Sequence, residues 1–278
     1  MVDVKFTSAK PRIKRSNYNP LEIVRHTLSY LFKHDSLLFH HATKNPGDWE
    51  CIEIIYNNKP QAHNKFFPGF IDLVCLNSRA SRATRSRKNV AYHEISRLIR
   101  QHGIKNEDFS IISLGSGPAH DIIAALYNMR EIQPAFATCV DIDARAIEYG
   151  RQIAQAHQLS GNIEFIHRDA GDIAALPRRY DMASIIGLLE YLSAEECTKF
   201  LANTKNILKA DSRILISNMK EHSLSGLMSF LGVWPLEYRR LEVMEEITRT
   251  SGFDIEKSYY GPHGLHSFII ARNRAGDS

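Results

Sequence analysis

The sequence predicts an α/β protein: a doubly wound, largely parallel sheet of seven strands behind an N-terminal helical region. Three observations carry this expectation. From residue 106 onward, short apolar runs alternate with segments of helical periodicity. The first of these runs ends abruptly in two glycines and a proline. The residues before it show helical spacing with little strand pattern.

Taking the elements in order, Leu21, Val24, Leu28, Leu31 and Phe32 recur at helical spacing, as do Trp49, Ile52, Ile55 and Tyr56. A long helix is expected over 78–102, stopped near Gly103, because glycine tolerates the left-handed conformation that ends a helix. Strands then fall at 110–114, 136–141, 163–167, 182–186, 214–218, 255–260 and 267–271. Helices fill 119–129, 144–156, 194–208 and 242–251. Strand followed by helix, repeated, gives right-handed crossovers that cover both faces of a parallel sheet. The chain is expected to divide into a helical cap region, 1–105, and a sheet domain, 106–278.

The 278 residues carry a formal net charge of +4, with 44% hydrophobic and 24% charged residues, enough apolar content for a sizeable core. No apolar window reaches the length of a signal-peptide core or a bilayer span, so a cytoplasmic protein without a membrane span is expected. Cys51, Cys75, Cys139 and Cys197 stand apart with no CxxC or Cys/His pairing, which suggests neither a disulfide framework nor a metal site. Arg79, Arg82, Arg85, Arg87 and Lys88 crowd one stretch. Such a run reads as a solvated helix face, and with no nucleic-acid-binding module beside it a small-molecule partner is expected rather than a nucleic acid. The helical region leaves pairing with a second copy open.

The stretch SIISLGSGPAHD, 110–121, is the centre of the functional reading. Ligands of parallel sheets sit outside the carboxyl ends of the strands, where the first strand turns into the first helix. Gly115 and Gly117 occupy that turn. Lacking Cβ atoms, they let a ligand approach the main chain while the following helix presents free N–H groups. The second strand ends in Asp141 and Asp143, where a carboxylate accepts the ribose hydroxyls of a nucleoside. The third leads to Asp169, suited to an adenine amino group. Each aspartate taken singly also suits a helix N-cap or a turn.

Gly115-Ser116-Gly117, Asp141 and Asp169 on successive strand ends resemble the class I S-adenosylmethionine (SAM) dependent methyltransferases. The resemblance covers about 105–273 and implies a Rossmann-like sheet whose last strand is antiparallel and inserted between two others. It implies SAM as cofactor, with Gly115, Ser116 and Gly117 against the methionyl part, Asp141 on the ribose, Asp169 and Ala170 at the adenine, and Ile142 packed on the ring. The SAM ammonium would meet the carbonyl of Gly115 or Gly187, and Arg82 or Arg85 would clamp the carboxylate. Dinucleotide dehydrogenases share the two glycines but usually show a third, where this chain has Ala119 or His120.

Beyond the fourth strand, GLLEYL puts Glu190 and Tyr191 on the rim of the pocket. Glu190 either orients an acceptor or the SAM amine, or suits the positive end of a helix beginning there. Tyr191 is either a wall or part of the core. The segment 219–240 is too apolar for a solvated loop and too short to span a bilayer, so it is expected to cover the site. Trp234 and Tyr238 would offer ring faces to the sulfonium or an apolar acceptor, and Arg239 would hold an anionic group. A helix packed on the sheet edge is the other reading.

SRATRSRK, LGSGPAHDI, GLLEYL, ISNM and WPLEYR together resemble a bacterial branch of the class that includes enzymes making the methyl ester of 3-hydroxypalmitic acid. That branch often has Asp where this chain has Glu190. The expected function is SAM-dependent methylation of a small apolar or carboxylate-bearing metabolite in signalling or specialised metabolism. The alternative is a SAM cyclase, closing the aminobutyryl arm to azetidine-2-carboxylate with release of methylthioadenosine.

Overall fold

A computed structural model describes residues 20–44, 47–60, 70–103, 108–173, 176, 179–231, 234 and 236–273. Residues 1–19 of the expected cap region, and the side chains of Leu28, Leu31 and Phe32, lie outside the described residues. The helical region contains α1 (Pro20–Asp35), α2 (Leu37–Lys44), α3 (Trp49–Asn57), α4 (Phe70–Asn77) and α5 (Arg79–Gly103). Asp48 starts α3 by accepting a hydrogen bond from Glu50 N, and Asn58 ends it at φ 51°. Leu38, Phe39, Cys51, Ile54, Ile55 and Leu76 form a small core among these helices, which Leu231 and Trp234 of the segment 219–240 join. The second half of α5 buries Ala91, Ile95, Leu98 and Ile99 in the core of the sheet, so the helical region is anchored to the sheet.

The remainder runs β1 (Phe109–Leu114), α6 (His120–Met129), β2 (Ala135–Asp141), α7 (Ala144–Ala156), β3 (Ile163–His167) and β4 (Tyr180–Ile185). A single 3-10 turn, Leu189–Tyr191, precedes α8 (Ala194–Lys205), β5 (Leu208–Met219), α9 (Ser225–Leu231), α10 (Leu241–Thr250), β6 (Phe253–Tyr260) and β7 (His266–Asn273). The sheet has seven strands in the order β3-β2-β1-β4-β5-β7-β6. β7 pairs antiparallel with both β5 and β6, while β3, β2, β1, β4 and β5 are mutually parallel. This is the seven-stranded, Rossmann-like methyltransferase architecture. Strand order reverses beside β1, which places the ligand-binding crevice at the carboxyl ends of β1 and β4.

Alternate residues of β1 face opposite layers, as strand geometry requires. Ile111 joins one core with α5, α6 and α7; Ile112 and Leu114 join the other with α8 and α10. The expected helix over 194–208 stops at Lys205, and β5 starts six residues earlier than the apolar pattern predicts. Its first half, LKADSR, is polar, and Asp211 adopts φ 59° where the pairing with β4 shifts register. An irregular, exposed strand start of this kind carries no period-two signal.

Glu94 ties α5 to β6. Lys257 Nζ, Tyr259 Oη and Arg97 Nε all donate to its carboxylate, at 2.6, 2.7 and 2.7 Å. Burial alone would raise its pKa, but these donors outweigh it and lower the value from 4.5 to about 2. The bond is therefore fully stabilising above the unfolded pKa and is lost as pH falls through the folded one. Urea unfolding followed between about pH 4.5 and 2 should show stability falling steeply in the wild type and less steeply in Glu94→Gln; equal slopes would remove Glu94 from the acid transition.

Candidate active site

β1 ends at Leu114 and the chain turns sharply through Gly115 (φ 66°) and Gly117 (φ 52°). Left-handed backbone is strained for other residues, which is why glycine stands at both places. Gly115 N and Ser116 N donate to Val140 O at 2.9 and 3.1 Å, pinning the turn to the end of β2. Asp141 completes it: Oδ2 accepts from Gly117 N at 2.7 Å and Oδ1 from Asp143 N at 2.9 Å. Burial raises the Asp141 pKa, against the pull of those two N–H groups. A Cβ added at Gly117 would meet only Trp49, 4.0 Å away, so the space above that glycine is open.

That space is a cavity of about 490 Å³. Its sheet side consists of the glycine turn, Asp141, Ile142 and the ends of β4, β5 and β7. Its far wall comes from the helical region: Gly47, Asp48, Trp49 and Tyr56 from around α3, and Thr84, Arg87 and Lys88 from α5. The helices are held there by polar contacts across the opening. Glu53 pairs with His120 at 2.7 Å, and the exposed Arg145 guanidinium reaches Asp143, Glu50 and Asp48 at 2.9, 3.2 and 3.4 Å. Trp49 stacks on Tyr149 with centroids 5.0 Å apart.

The floor is polar and buried. Glu190, carried inward by the 3-10 turn after β4, has Oε1 3.8 Å from Arg87 Nη1 and 3.8 Å from His266 Nδ1. Burial raises the Glu190 pKa against the opposing Arg87 charge, and burial together with Arg87 and His222 lowers that of His266. Gly187, at φ 82°, lies under the Arg87 guanidinium, and a Cβ there would sit 2.5 Å from Nη1. On the side of 219–240, Trp234 Nε1 donates to Tyr191 Oη at 2.6 Å, and Met219 and Leu236 add apolar wall.

Of the residues singled out in the sequence, Gly115, Ser116, Gly117, Asp141 and Ile142 line the cavity from one side. Gly187, Glu190, Tyr191 and Trp234 line it from the other. Six stand elsewhere, each for a visible reason. Arg85 spends its guanidinium on the Ile55 and Leu76 carbonyls, at 3.3 and 3.0 Å, tying α3 and α4 to α5. Arg82 is exposed on another face of α5. Arg239 is buried and donates to the carbonyls of Leu189 and Leu192, so it acts as a strut beneath the Glu190 turn. Tyr238 meets His222 edge to face outside the cavity. Asp169 accepts from Gly171 N at 2.7 Å in its own exposed turn, and Ala170 is buried beside it in the core.

Arg87 and His266 were not singled out. Arg87 carried a signal, because it lies four residues from both Ala83 and Ala91 on the buried stripe of α5. A charge on such a stripe needs a partner inside. His266 carried none: only the antiparallel placement of β7, pairing His266 with Met219, puts the start of that strand at the carboxyl ends of the others. Among the described residues, His41, Asp48 and Glu50 approach metal-ligand spacing, but Arg145 already pairs with both carboxylates.

A family described as "Methyltransferase domain" matches residues 105–252. A search of curated proteins finds no match. Among solved structures, a possible exported protein from Bordetella parapertussis aligns over 95% of this chain and 100% of its own, with TM-score 0.68 and 15% identity. Magnesium protoporphyrin IX methyltransferase from Synechocystis PCC 6803, with bound SAH, aligns over 92% of this chain and 100% of its own, with TM-score 0.59 and 14% identity. An O-methyltransferase family protein from Burkholderia thailandensis aligns over 95% and 75%, with TM-score 0.55 and 14% identity. At these identities the likeness is one of fold.

Proposed function

The chain belongs to the methyltransferase-domain family, with S-adenosylmethionine as cofactor, and from that premise we propose that it methylates a small, predominantly apolar metabolite of signalling or specialised metabolism. The observation that carries this reading is one cavity lined by the glycine turn and Asp141 from the sheet side and by Arg87 from the helical side. It offers the donor and acceptor set that SAM requires. Glycines leave room for the methionyl arm, and the Asp141 carboxylate suits ribose hydroxyls. Arg87, whose Nε is buried without a partner among the described residues, suits a carboxylate. The helices 20–103 then act as a cap.

SAM supplies an activated methyl group on a sulfonium. The protein has to align acceptor and donor and keep water out, and alignment alone removes much of the barrier. Arg87 and the glycine turn would fix the amino-acid end, Asp141 the sugar, and Tyr191 with Trp234 the outer wall. Arg239 is fully engaged by main-chain carbonyls, so Met219, Trp234 and Leu236 define an acceptor side that favours apolar molecules over carboxylates.

Calorimetric titration with S-adenosylhomocysteine (SAH) tests the reading. Wild-type protein should bind, and Asp141→Ala should lose about 1.5–3 kcal/mol of affinity, the range for hydrogen bonds to a charged group. Equal affinity in the two proteins would remove Asp141 from the ribose.

A further inference from the structure

The cavity floor holds three ionisable side chains with unusually few partners. Arg87 Nε, both Glu190 carboxylate oxygens and both His266 ring nitrogens are buried with no hydrogen-bond partner among the described residues. Glu190 and His266 are each 2% exposed. Buried polar groups are normally satisfied, so a cluster left open on the lining of a cavity marks the place where a ligand completes it. Arg87 and Asp141 account for the cofactor; Glu190 and His266 remain without a role.

Resting on the methyltransferase reading, we infer that His266 accepts the proton of a hydroxyl-bearing acceptor, and that Glu190 is the positioning residue that holds His266 for this once Arg87 has engaged the carboxylate of SAM. Glu190 Oε1 lies between its two neighbours, 3.8 Å from each. Without ligand, Arg87 is the nearest positive charge to both groups. It disfavours an imidazolium at His266, as does His222 from the segment after β5, so the ring is neutral and able to take a proton. A carboxylate brought to Arg87 offsets part of that charge, and the carboxylate of Glu190 then weighs more heavily on His266. Arg239, the other cation felt by Glu190, stays fixed on the Leu189 and Leu192 carbonyls.

The same geometry names the acceptor class. A carboxylate needs no base, and the other cations of the wall are engaged, Lys88 over the Tyr56 ring and Arg145 with Asp143, Glu50 and Asp48, whereas an alcohol, enol or phenol needs somewhere to leave its proton. Ile186, Met219, Trp234 and Leu236 supply an apolar surface for the rest of the molecule. In the step, the acceptor oxygen bonds to the methyl carbon as the carbon–sulfur bond breaks and its electron pair passes to sulfur. The hydroxyl proton moves to a ring nitrogen of His266. The imidazolium, facing Glu190, returns that proton to water when the product leaves.

The first test needs no acceptor. SAH binding is measured by calorimetry near neutral pH in phosphate and in Tris, whose different ionisation enthalpies report proton exchange. The wild type should take up a fraction of a proton on binding, because the His266 pKa rises while neutral ring remains to act as base, and the double variant Glu190→Gln/His266→Asn should bind SAH without doing so. Binding by the wild type without proton uptake overturns the inference; failure to bind SAH at all sinks the methyltransferase reading instead. The second test follows SAH formation with 4-hexylphenol and 4-hexylbenzoate as probes. The phenol should be methylated, His266→Asn should slow it by about 100-fold or more, and added imidazole should restore part of the rate to His266→Ala. Unchanged turnover in His266→Asn, or methylation of the benzoate in preference to the phenol, overturns it.

Discussion

Arg87→Ala should weaken SAH binding by about 2–5 kcal/mol, the cost of truncating one partner of a buried, hydrogen-bonded charge pair. Arg87 is 9% exposed, its Nε is free among the described residues, and its nearest carboxylate, on Glu190, is 3.8 Å away. The guanidinium is held by the Tyr56 hydroxyl while Nε stays unpartnered among the described residues, the state expected of a group waiting for an anionic ligand. Removing it leaves Glu190 buried beside a neutral histidine. Burial raises the Glu190 pKa, and Arg239 still supports the turn that carries it through the Leu189 and Leu192 carbonyls, so the fold is retained. Arg85→Ala is the control. It removes two hydrogen bonds to the Ile55 and Leu76 carbonyls, lowering thermal stability by loosening the helical region while leaving the cavity cation in place. Calorimetry and thermal unfolding on both variants separate the two roles: equal SAH affinity in Arg87→Ala and wild type would return Arg87 to the structural network.

Gly187→Ala should have the next largest effect. The backbone there is at φ 82°, so any Cβ carries a strain of about 1–2 kcal/mol. The added atom would also sit 2.5 Å from Arg87 Nη1 and 2.9 Å from Cζ. The atoms it meets are the far end of a flexible side chain, so the guanidinium moves and the backbone stays. The expected result is a folded protein with SAH affinity lowered at least tenfold, about 1.4 kcal/mol or more. Wild-type affinity in Gly187→Ala would show that the position of Arg87 over this glycine is immaterial to the cofactor.

The order of strands and helices was legible because most strands of a sheet covered on both faces are continuous apolar runs, and such runs survive in sequence as a plain pattern. β5 shows the limit: its apolar half carries the strand pattern, whereas 209–213, polar and irregular, carries none, and Leu208 fits the end of the preceding helical spacing. The glycine turn and Asp141 were legible because their places follow from strand ends. Which arginine of SRATRSRK enters the cavity depends on helix phase, and a crowd of basic residues hides the one that shares its stripe with Ala83 and Ala91. His266 depends on a non-local pairing, β7 inserted beside β5, which no local pattern encodes. Arg239 misled because its charge suggested a ligand while its burial serves main-chain carbonyls.

The central claim is that this cavity uses SAM to methylate a small apolar acceptor. It is tested most directly by incubating the purified protein with SAM, with and without an apolar metabolite extract, and following the products by mass spectrometry. The account predicts SAH formed in step with a methylated product, only when extract is present and only slowly in Arg87→Ala. Methylthioadenosine accumulating from SAM alone would contradict it, because the bond broken would then lie in the aminobutyryl arm and no acceptor would be involved.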